Sequence, residues 1–267
     1  MLENKDRKPY ISVTGITNRA EANAIALAFQ SNLHPDSSHQ GALGYRLSSQ
    51  TLDTLPESSL YADFREPQTL FPDSTSILNV IHYNTRNQST LAEQVVQIFK
   101  KGGIYSDNLC RAIQLNIKWP QVNQLDEIKS ALPDLQIVLS ITPTILKRET
   151  REQISDNVGK RAGFVDFIII DPSGNKGITF TPGWLAPYFR LLKNDFPDKQ
   201  IILAGGFNDK EVALRLAELD LALKTKDFGI DAESGLKDGH GRLSIAKATA
   251  YIEKASSFFN PTTWSSL

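Results

Sequence analysis

The sequence predicts an α/β protein built as a single (β/α)₈ TIM barrel. Short apolar runs rich in β-branched residues alternate with amphipathic stretches, which is the pattern of strand–helix units over a parallel sheet. Eight such units follow one another without a linker. No Gly-x-Gly-x-x-Gly turn follows the first strand, so a closed barrel is favoured over an open doubly wound sheet. We therefore expect one barrel domain over residues 1–267.

The individual elements follow from these runs and from helix caps. The predicted strands are 10–14, 43–47, 77–82, 111–116, 136–141, 165–170, 200–204 and 227–231. The predicted helices are 19–28 after a cap at Asn18, 90–101, 122–131, 148–161, 183–194, 209–219 after Asn208, and 242–256. The segment at about 48–74, after the second strand, contains Pro56 and Pro67 and is expected to be irregular, with at most a short helix inside a long loop.

Composition excludes several classes of function. Lys and Arg (29) nearly balance Asp and Glu (30), so no basic field is present to hold a nucleic acid. The charged start of the chain and the lack of a long apolar run predict a cytoplasmic protein with no membrane partner. A single cysteine, Cys110, and histidines without ligand spacing predict neither a metal site nor a cofactor. The sequence predicts no particular oligomeric state.

Two glycine turns close the seventh and eighth strands about thirty residues apart. Gly205-Gly206 allows close approach of the backbone, and Ser234-Gly235 offers amides and a hydroxyl. Because the carboxyl ends of neighbouring parallel strands meet at one face, these turns can converge on a single anion. The pair predicts a phosphate site, and the alternative is that the glycines only make tight strand-to-helix turns.

An ordered set of motifs resembles the phosphoribosylanthranilate isomerase family of tryptophan synthesis along nearly the whole chain. The matching segments are Ser-Val-Thr-Gly-Ile-Thr at 12–17, Gln-Leu-Asn at 114–116, Ile-Asp at 170–171, Gly-Asn-Lys-Gly-Ile-Thr-Phe at 174–180, Leu-Ala-Gly-Gly-Phe at 203–207 and Gly-Ile-Asp-Ala-Glu-Ser-Gly-Leu at 229–236. The resemblance implies an Amadori rearrangement, in which an N-linked phosphoribosylamine opens and becomes an aminoketose. It implies no cofactor and a phosphorylated small-molecule substrate.

The resemblance also suggests catalytic residues. The family's general acid matches Asp171, whose alternative role is to cap an Asp-Pro turn. Its aspartate on the eighth strand matches Asp231, which either orders the substrate or is a buried structural carboxyl. The family's catalytic cysteine falls on Thr14, and a hydroxyl is a poor base without a partner. Cys110 precedes the fourth strand and is expected at the opposite face.

Binding residues are assigned in the same way. Gly177 matches a phosphate-loop glycine, and Gln114 and Asn116 occupy a Gln-Leu-His motif in which Asn replaces the histidine. The arginine that holds the aromatic carboxylate has its best candidate in Arg46, which would need a partner if it faced inward. Glu233 stands beside the expected phosphate, where a carboxylate would repel it unless it pointed away.

Three functions are consistent with these residues. The chain is either an isomerase of this type with a substituted base, a diverged barrel enzyme that acts on another phosphorylated sugar, or a non-catalytic binder of a phosphorylated metabolite. The fold does not discriminate among them, since one fold hosts many functions. Thr14 argues against the first unless another group lies within reach of the substrate proton.

Overall fold

A computed structural model describes residues 7–51, 61–72, 74, 76–174 and 180–261. Eight parallel strands follow chain order around a closed barrel, and β8 pairs with β1 to close it. This confirms the predicted (β/α)₈ TIM barrel. The strands are β1 (Tyr10–Thr14), β2 (Gln40–Ser48), β3 (Leu78–Asn84), β4 (Ala112–Leu115), β5 (Gln136–Ile141), β6 (Phe167–Ile170), β7 (Gln200–Ala204) and β8 (Gly229–Ala232).

Helices cover the outside of the barrel. They are α1 (Arg19–Asn32), α2 (Leu91–Lys100), α3 (Val122–Ala131), α4 (Pro143–Arg148), α5 (Arg151–Gly159), α6 (Pro182–Asp195), α7 (Val212–Leu223) and α8 (Ile245–Phe259). Asn18 caps α1 as expected, since its side chain accepts a hydrogen bond from the Glu21 amide. Among the described residues, no helix has the length and apolar character needed to cross a bilayer.

Two predicted helices differ from the structure for reasons of capping. The predicted helix 148–161 corresponds to α5, which begins at Arg151 because Thr150 and Gln153 form a capping box, and the short helix α4 before it was not predicted. The predicted helix 209–219 begins later, at Val212. The Asn208 side chain accepts from the amides of Lys210 and Glu211 and so holds a turn before the helix.

The segment after β2 carries only a 3₁₀ turn (Pro67–Thr69) among its described residues, and Phe64 and Phe71 anchor it in the core. Residues 52–60, 73 and 75 of the predicted irregular segment lie outside the described residues. One domain over the whole of residues 1–267 remains a prediction.

The strand pleat sorts side chains into two layers. Alternate residues point outward to the helices and form the larger core, which includes Val13, Ile81 and Leu203. The other residues point into the barrel, where the rings of Tyr10 and Phe167 pack at a tilt with centroids 5.3 Å apart. The inward layer is apolar toward the amino ends of the strands and more polar toward their carboxyl ends. Side chains therefore fill the barrel at its amino-terminal end, and a cavity lies at its carboxyl-terminal end.

Closure of the barrel depends on a missing side chain. A Cβ on Gly229 would lie 2.4 Å from the backbone oxygen of Tyr10 and 2.8 Å from its nitrogen, at the seam between β8 and β1. We expect Gly229→Ala to lower the free energy of unfolding by about 2–3 kcal/mol, because the strands must separate to admit the methyl group. Urea denaturation measures this. Gly163→Ala is the matched control, since no atom lies within 4 Å of its added Cβ. Equal losses in the two variants would contradict the close-packing argument.

Candidate active site

A cavity of about 230 Å³ lies at the carboxyl ends of the strands, where active sites of (β/α)₈ barrels lie. Several residues selected from the sequence line it together: Gln114, Asn116, Asp171, Gly205, Gly206, Asp231 and Ser234. The remaining lining residues are His82, Asn84, Thr142, Pro143, Ile169, Ser173, Gly174, Ala204, Phe207 and Glu233. Gly177 lies outside the described residues.

Asp231 is the titratable group best placed for chemistry. It points inward from β8, is 9% exposed, and lines the cavity. Burial raises the pKa of its carboxyl to about 7, against hydrogen bonds from Thr14 and Ser12 that lower it. The nearby charges of Glu233 and Asp171 raise it further. Asp231 can therefore exchange a proton near neutral pH, as a general acid or base must.

Thr14, on β1, forms a hydrogen bond with Asp231. Its hydroxyl donates to the Asp231 carboxylate at 2.8 Å, and its side chain is fully buried. The oxygen of Thr14 is also 3.4 Å from Nε2 of His82. Because Thr14 gives its one proton to Asp231, this contact requires that Nε2 of His82 carry a hydrogen. Thr14 is thus a hydrogen-bond donor to Asp231, at the position where the resemblance places a catalytic cysteine.

His82 lines the cavity, although none of the motifs that match the isomerase family includes it. Burial lowers its pKa to about 4, and Arg46 lowers it further against the effect of Glu233, so the ring is neutral at pH 7. The signal was present in the sequence, since residues 80, 82 and 84 share the inward face of β3. Counting by two from Val80 places His82 and Asn84 at the cavity.

Arg46 forms an ion pair with Glu233 and does not line the cavity, so its position does not match the predicted role of holding a substrate carboxylate. Its Nη1 is 2.8 Å from Oε1 of Glu233, and the guanidinium lies over the ring of Tyr61 at 4.9 Å from the centroid. Lys237 is also 2.8 Å from the same carboxylate oxygen. Burial would raise the pKa of Glu233, but the two cations outweigh burial and lower it. The carboxylate at 233 is therefore ionised and its charge is balanced.

Asp171 caps the turn after β6, which is the structural alternative that the sequence left open for it. Its Oδ1 accepts hydrogen bonds from the Ser173 amide at 2.9 Å, the Ser173 hydroxyl at 2.7 Å and the Gly174 amide at 3.1 Å. These bonds build the turn after β6. The residue also lines the cavity, so capping the turn and facing a ligand are compatible.

The loops after β7 and β8 converge as the glycine turns predicted. Gly205 and Gly206 have φ of 112° and 71°, which glycine adopts without strain. Asn208 and Gly235 form a parallel bridge between the two loops. A Cβ on Gly235 would lie 2.2 Å from the Phe207 carbonyl oxygen. Gly235 therefore serves to join the loops, while Gly205, Gly206 and Ser234 face the cavity.

Gln114 and Asn116 form a polar wall opposite these loops. Nε2 of Gln114 donates to Oδ1 of Asn116 at 2.8 Å, and the Ser140 hydroxyl donates to the same oxygen at 3.0 Å. Cys110 lies at the other end of β4, 2% exposed, and burial raises its pKa to about 12. The prediction that Cys110 is a buried residue distant from the site is thus confirmed.

Comparison with solved structures identifies the fold and not the family. Scans against family models and curated proteins find no match. Phosphoribosyl anthranilate isomerase from Thermus thermophilus is 15% identical, with a TM-score of 0.56, and the match covers 93% of this chain and 98% of that one. A phosphoribosyl anthranilate isomerase in complex with reduced 1-(o-carboxyphenylamino)-1-deoxyribulose 5-phosphate is 16% identical, with a TM-score of 0.58, and covers 94% and 100%.

A different enzyme matches almost as well. The carboxyl transferase domain of Rhizobium etli pyruvate carboxylase is 10% identical with a TM-score of 0.54, and the match covers 96% of this chain and 48% of that one. At these identities the likeness shows the (β/α)₈ barrel fold alone, and the function has to be argued from the residues of the site.

The raised pKa of Asp231 has a consequence for stability. An unfolded carboxyl titrates near 3.8 and the native one near 7, so between these values the native state holds a proton that the unfolded chain has released. Stability from this group therefore falls as pH rises from about 4 to 7 and is constant above. We expect Asp231→Asn to be more stable than the parent at pH 8, by up to about 4 kcal/mol, with the difference fading toward pH 4.

Urea unfolding at pH 5 to 8.5 measures this dependence. Asp126→Asn, an exposed position on α3, is the matched control and should follow the parent at every pH. An Asp231→Asn curve parallel to that of the parent would show that the native carboxyl titrates normally.

Proposed function

We propose that this chain is an isomerase of phosphorylated sugars that moves a proton between adjacent carbons, in an Amadori-type or aldose–ketose rearrangement. The substrate is an N-linked phosphoribosyl compound or a related sugar phosphate. The observation that carries the proposal is Asp231, a buried carboxyl with a pKa of about 7 that shares one cavity with the glycine loops after β7 and β8.

The loops after β7 and β8 are the proposed phosphate site. Gly205, Gly206 and Ser234 offer backbone and hydroxyl groups at the ends of neighbouring strands. Three carboxyl residues line the same cavity, and no Lys or Arg does so among the described residues. Glu233 is balanced by Arg46 and Lys237, and the raised pKa of Asp231 means that this lining carboxyl changes charge near neutral pH, so its ionisation should weaken anion binding.

Proton transfer falls to Asp231. Its carboxylate removes the proton from C2 of the open-chain sugar and returns it to C1, while the hydroxyl proton moves from the C2 oxygen to the C1 oxygen or nitrogen. A carboxyl that titrates near the working pH can perform both steps. The neutral ring of His82 suits a hydrogen-bonding role toward the substrate oxygens, and Asp171 is proposed as the acid that opens the ring of an N-linked substrate.

One observation favours a second candidate function. Thr14 stands where the resemblance places a catalytic cysteine, and its hydroxyl is committed to Asp231 at 2.8 Å. A chain without that thiol could bind a phosphorylated metabolite and not convert it.

Anion binding tests the phosphate site by itself. Sulfate is the probe, because it is a dianion throughout the accessible pH range. We expect its dissociation constant to rise by about tenfold between pH 6 and pH 8 as Asp231 ionises, the equivalent of one pKa unit of coupling. Isothermal titration calorimetry measures it. Asp231→Asn should bind sulfate with no such pH dependence, and absence of saturable binding in both proteins would refute the phosphate site.

Isotope exchange tests the chemistry. Ribose 5-phosphate and N-(5-phosphoribosyl)anthranilate are incubated with the protein in deuterium oxide, and NMR follows ketose formation and deuterium uptake at C1 and C2. We expect Asp231→Asn to lower the rate by about 10²–10⁴. Thr14→Val should move the pH midpoint of the rate upward, because the Thr14 hydrogen bond lowers the pKa of Asp231.

The two functions give different results. Asp171→Asn should slow the N-linked substrate more than ribose 5-phosphate, whose ring opens without help. Sulfate binding without any exchange in either sugar phosphate would establish the non-catalytic binder. Exchange that survives Asp231→Asn would remove Asp231 from the mechanism.

A further inference from the structure

An acceptor without a partner lies in the wall opposite the phosphate loops. Gln114 is 6% exposed and lines the cavity, and its Oε1 is buried with no hydrogen-bond partner in the structure. A buried carbonyl oxygen without a partner costs about 1–3 kcal/mol. An unsatisfied group in a native protein therefore calls for an explanation, and a ligand that donates a hydrogen bond supplies one.

The neighbours of Gln114 hold its amide in this orientation. Its Nε2 donates to Oδ1 of Asn116, which also accepts from the hydroxyl of Ser140. Two donors thus converge on one oxygen of Asn116. Rotation of the Gln114 amide alone would set two carbonyl oxygens against each other, so this arrangement of Gln114 and Asn116 leaves Oε1 without a donor.

Among the described lining residues, no cation stands at this wall to pair with an acidic ligand group. Asn84, Asn116 and Thr142 are neutral, and the ring of His82 is uncharged at pH 7. Arg46, which the sequence suggested as the residue that holds a substrate carboxylate, instead has its Nη1 2.8 Å from Glu233 and its guanidinium over the ring of Tyr61. A carboxylate at the Gln114 wall would face an unpaired acceptor and the carboxyl of Asp231, with no cation among the described lining residues to pair with it.

We propose that the end of the substrate remote from its phosphate is a neutral, hydroxyl-bearing chain that donates to Oε1 of Gln114, and carries no carboxylate. This inference rests on the proposed function and, of the substrates proposed there, selects a neutral sugar phosphate over an N-linked compound that carries a carboxylate. A site built to accept from a hydroxyl rejects an analogue that cannot donate, because the buried acceptor is then left unpaired.

A matched pair of ligands tests the proposal. Ribitol 5-phosphate and ribonate 5-phosphate differ at C1, which is a hydroxymethyl group in one and a carboxylate in the other. We expect ribitol 5-phosphate to bind at least tenfold more tightly than inorganic phosphate, and ribonate 5-phosphate at least tenfold more weakly than ribitol 5-phosphate. Calorimetric titration at pH 7 measures all three.

Variants locate the contact. Gln114→Met keeps the length of the side chain and removes its polar atoms, so it should lower ribitol 5-phosphate affinity at least fivefold and leave inorganic phosphate affinity unchanged. Unchanged phosphate affinity also shows that the variant is folded. Gln97→Met on the exposed face of α2 is the matched control. Asn84→Ala, at the exposed edge of the cavity, should weaken ribitol 5-phosphate by a smaller factor.

The outcomes separate this inference from the one on which it rests. Failure of inorganic phosphate to bind the parent would remove the phosphate site and with it the proposed function. Phosphate binding with ribonate 5-phosphate equal to or tighter than ribitol 5-phosphate would overturn the neutral-chain inference alone. Equal effects of Gln114→Met on both ribitol 5-phosphate and inorganic phosphate would likewise overturn it.

Discussion

The site depends on one constraint: the Asp231 carboxyl is held out of water with a hydroxyl, and not a cation, as its nearest partner. Below it the inward layer is apolar, with Tyr10 and Phe167 in contact, and above it the cavity opens. The Thr14 hydrogen bond keeps the ionised form accessible but does not offset burial. A carboxyl paired with a cation would stay ionised, whereas this one changes charge near pH 7, which is the property that the proposed function uses.

Much of the fold could be predicted because parallel strands buried on both faces appear as continuous β-branched runs. Strands β1, β5 and β7 lie at the predicted bounds, and α3 does too. The errors fall at the ends of elements, such as the end of α1 and the start of β2, and at the starts of α5 and α7 a few hydrogen bonds decide the outcome. Thr150 begins a second helix after β5, and Asn208 delays α7 by closing a turn first. The free-energy difference between a capped short helix and a longer helix is small, and the hydrophobic pattern of the sequence does not reveal which of the two forms.

The site was less predictable because its decisive contacts join distant positions. Residue-by-residue resemblance located Asp231 at the cavity, but its partners follow from the barrel register. Glu233 seemed to oppose phosphate binding from sequence alone, yet Arg46, 187 residues away, and Lys237 balance its charge. The position of His82 at the cavity could have been predicted from the alternation of side chains along β3. Its neutral state could not, because it follows from burial in the closed barrel.

Gly44 shows how the backbone makes room for this chemistry. A Cβ there would lie 2.2 Å from the Thr14 hydroxyl oxygen and 2.8 Å from Nε2 of His82. Any side chain on the inward face of β2 at this level would therefore separate the two groups or push Thr14 from Asp231. Since β2 lies between β1 and β3, the absent side chain lets residues on non-adjacent strands meet across it. The contacts from His82 through Thr14 to Asp231 thus exist because Gly44, on the intervening strand, has no side chain.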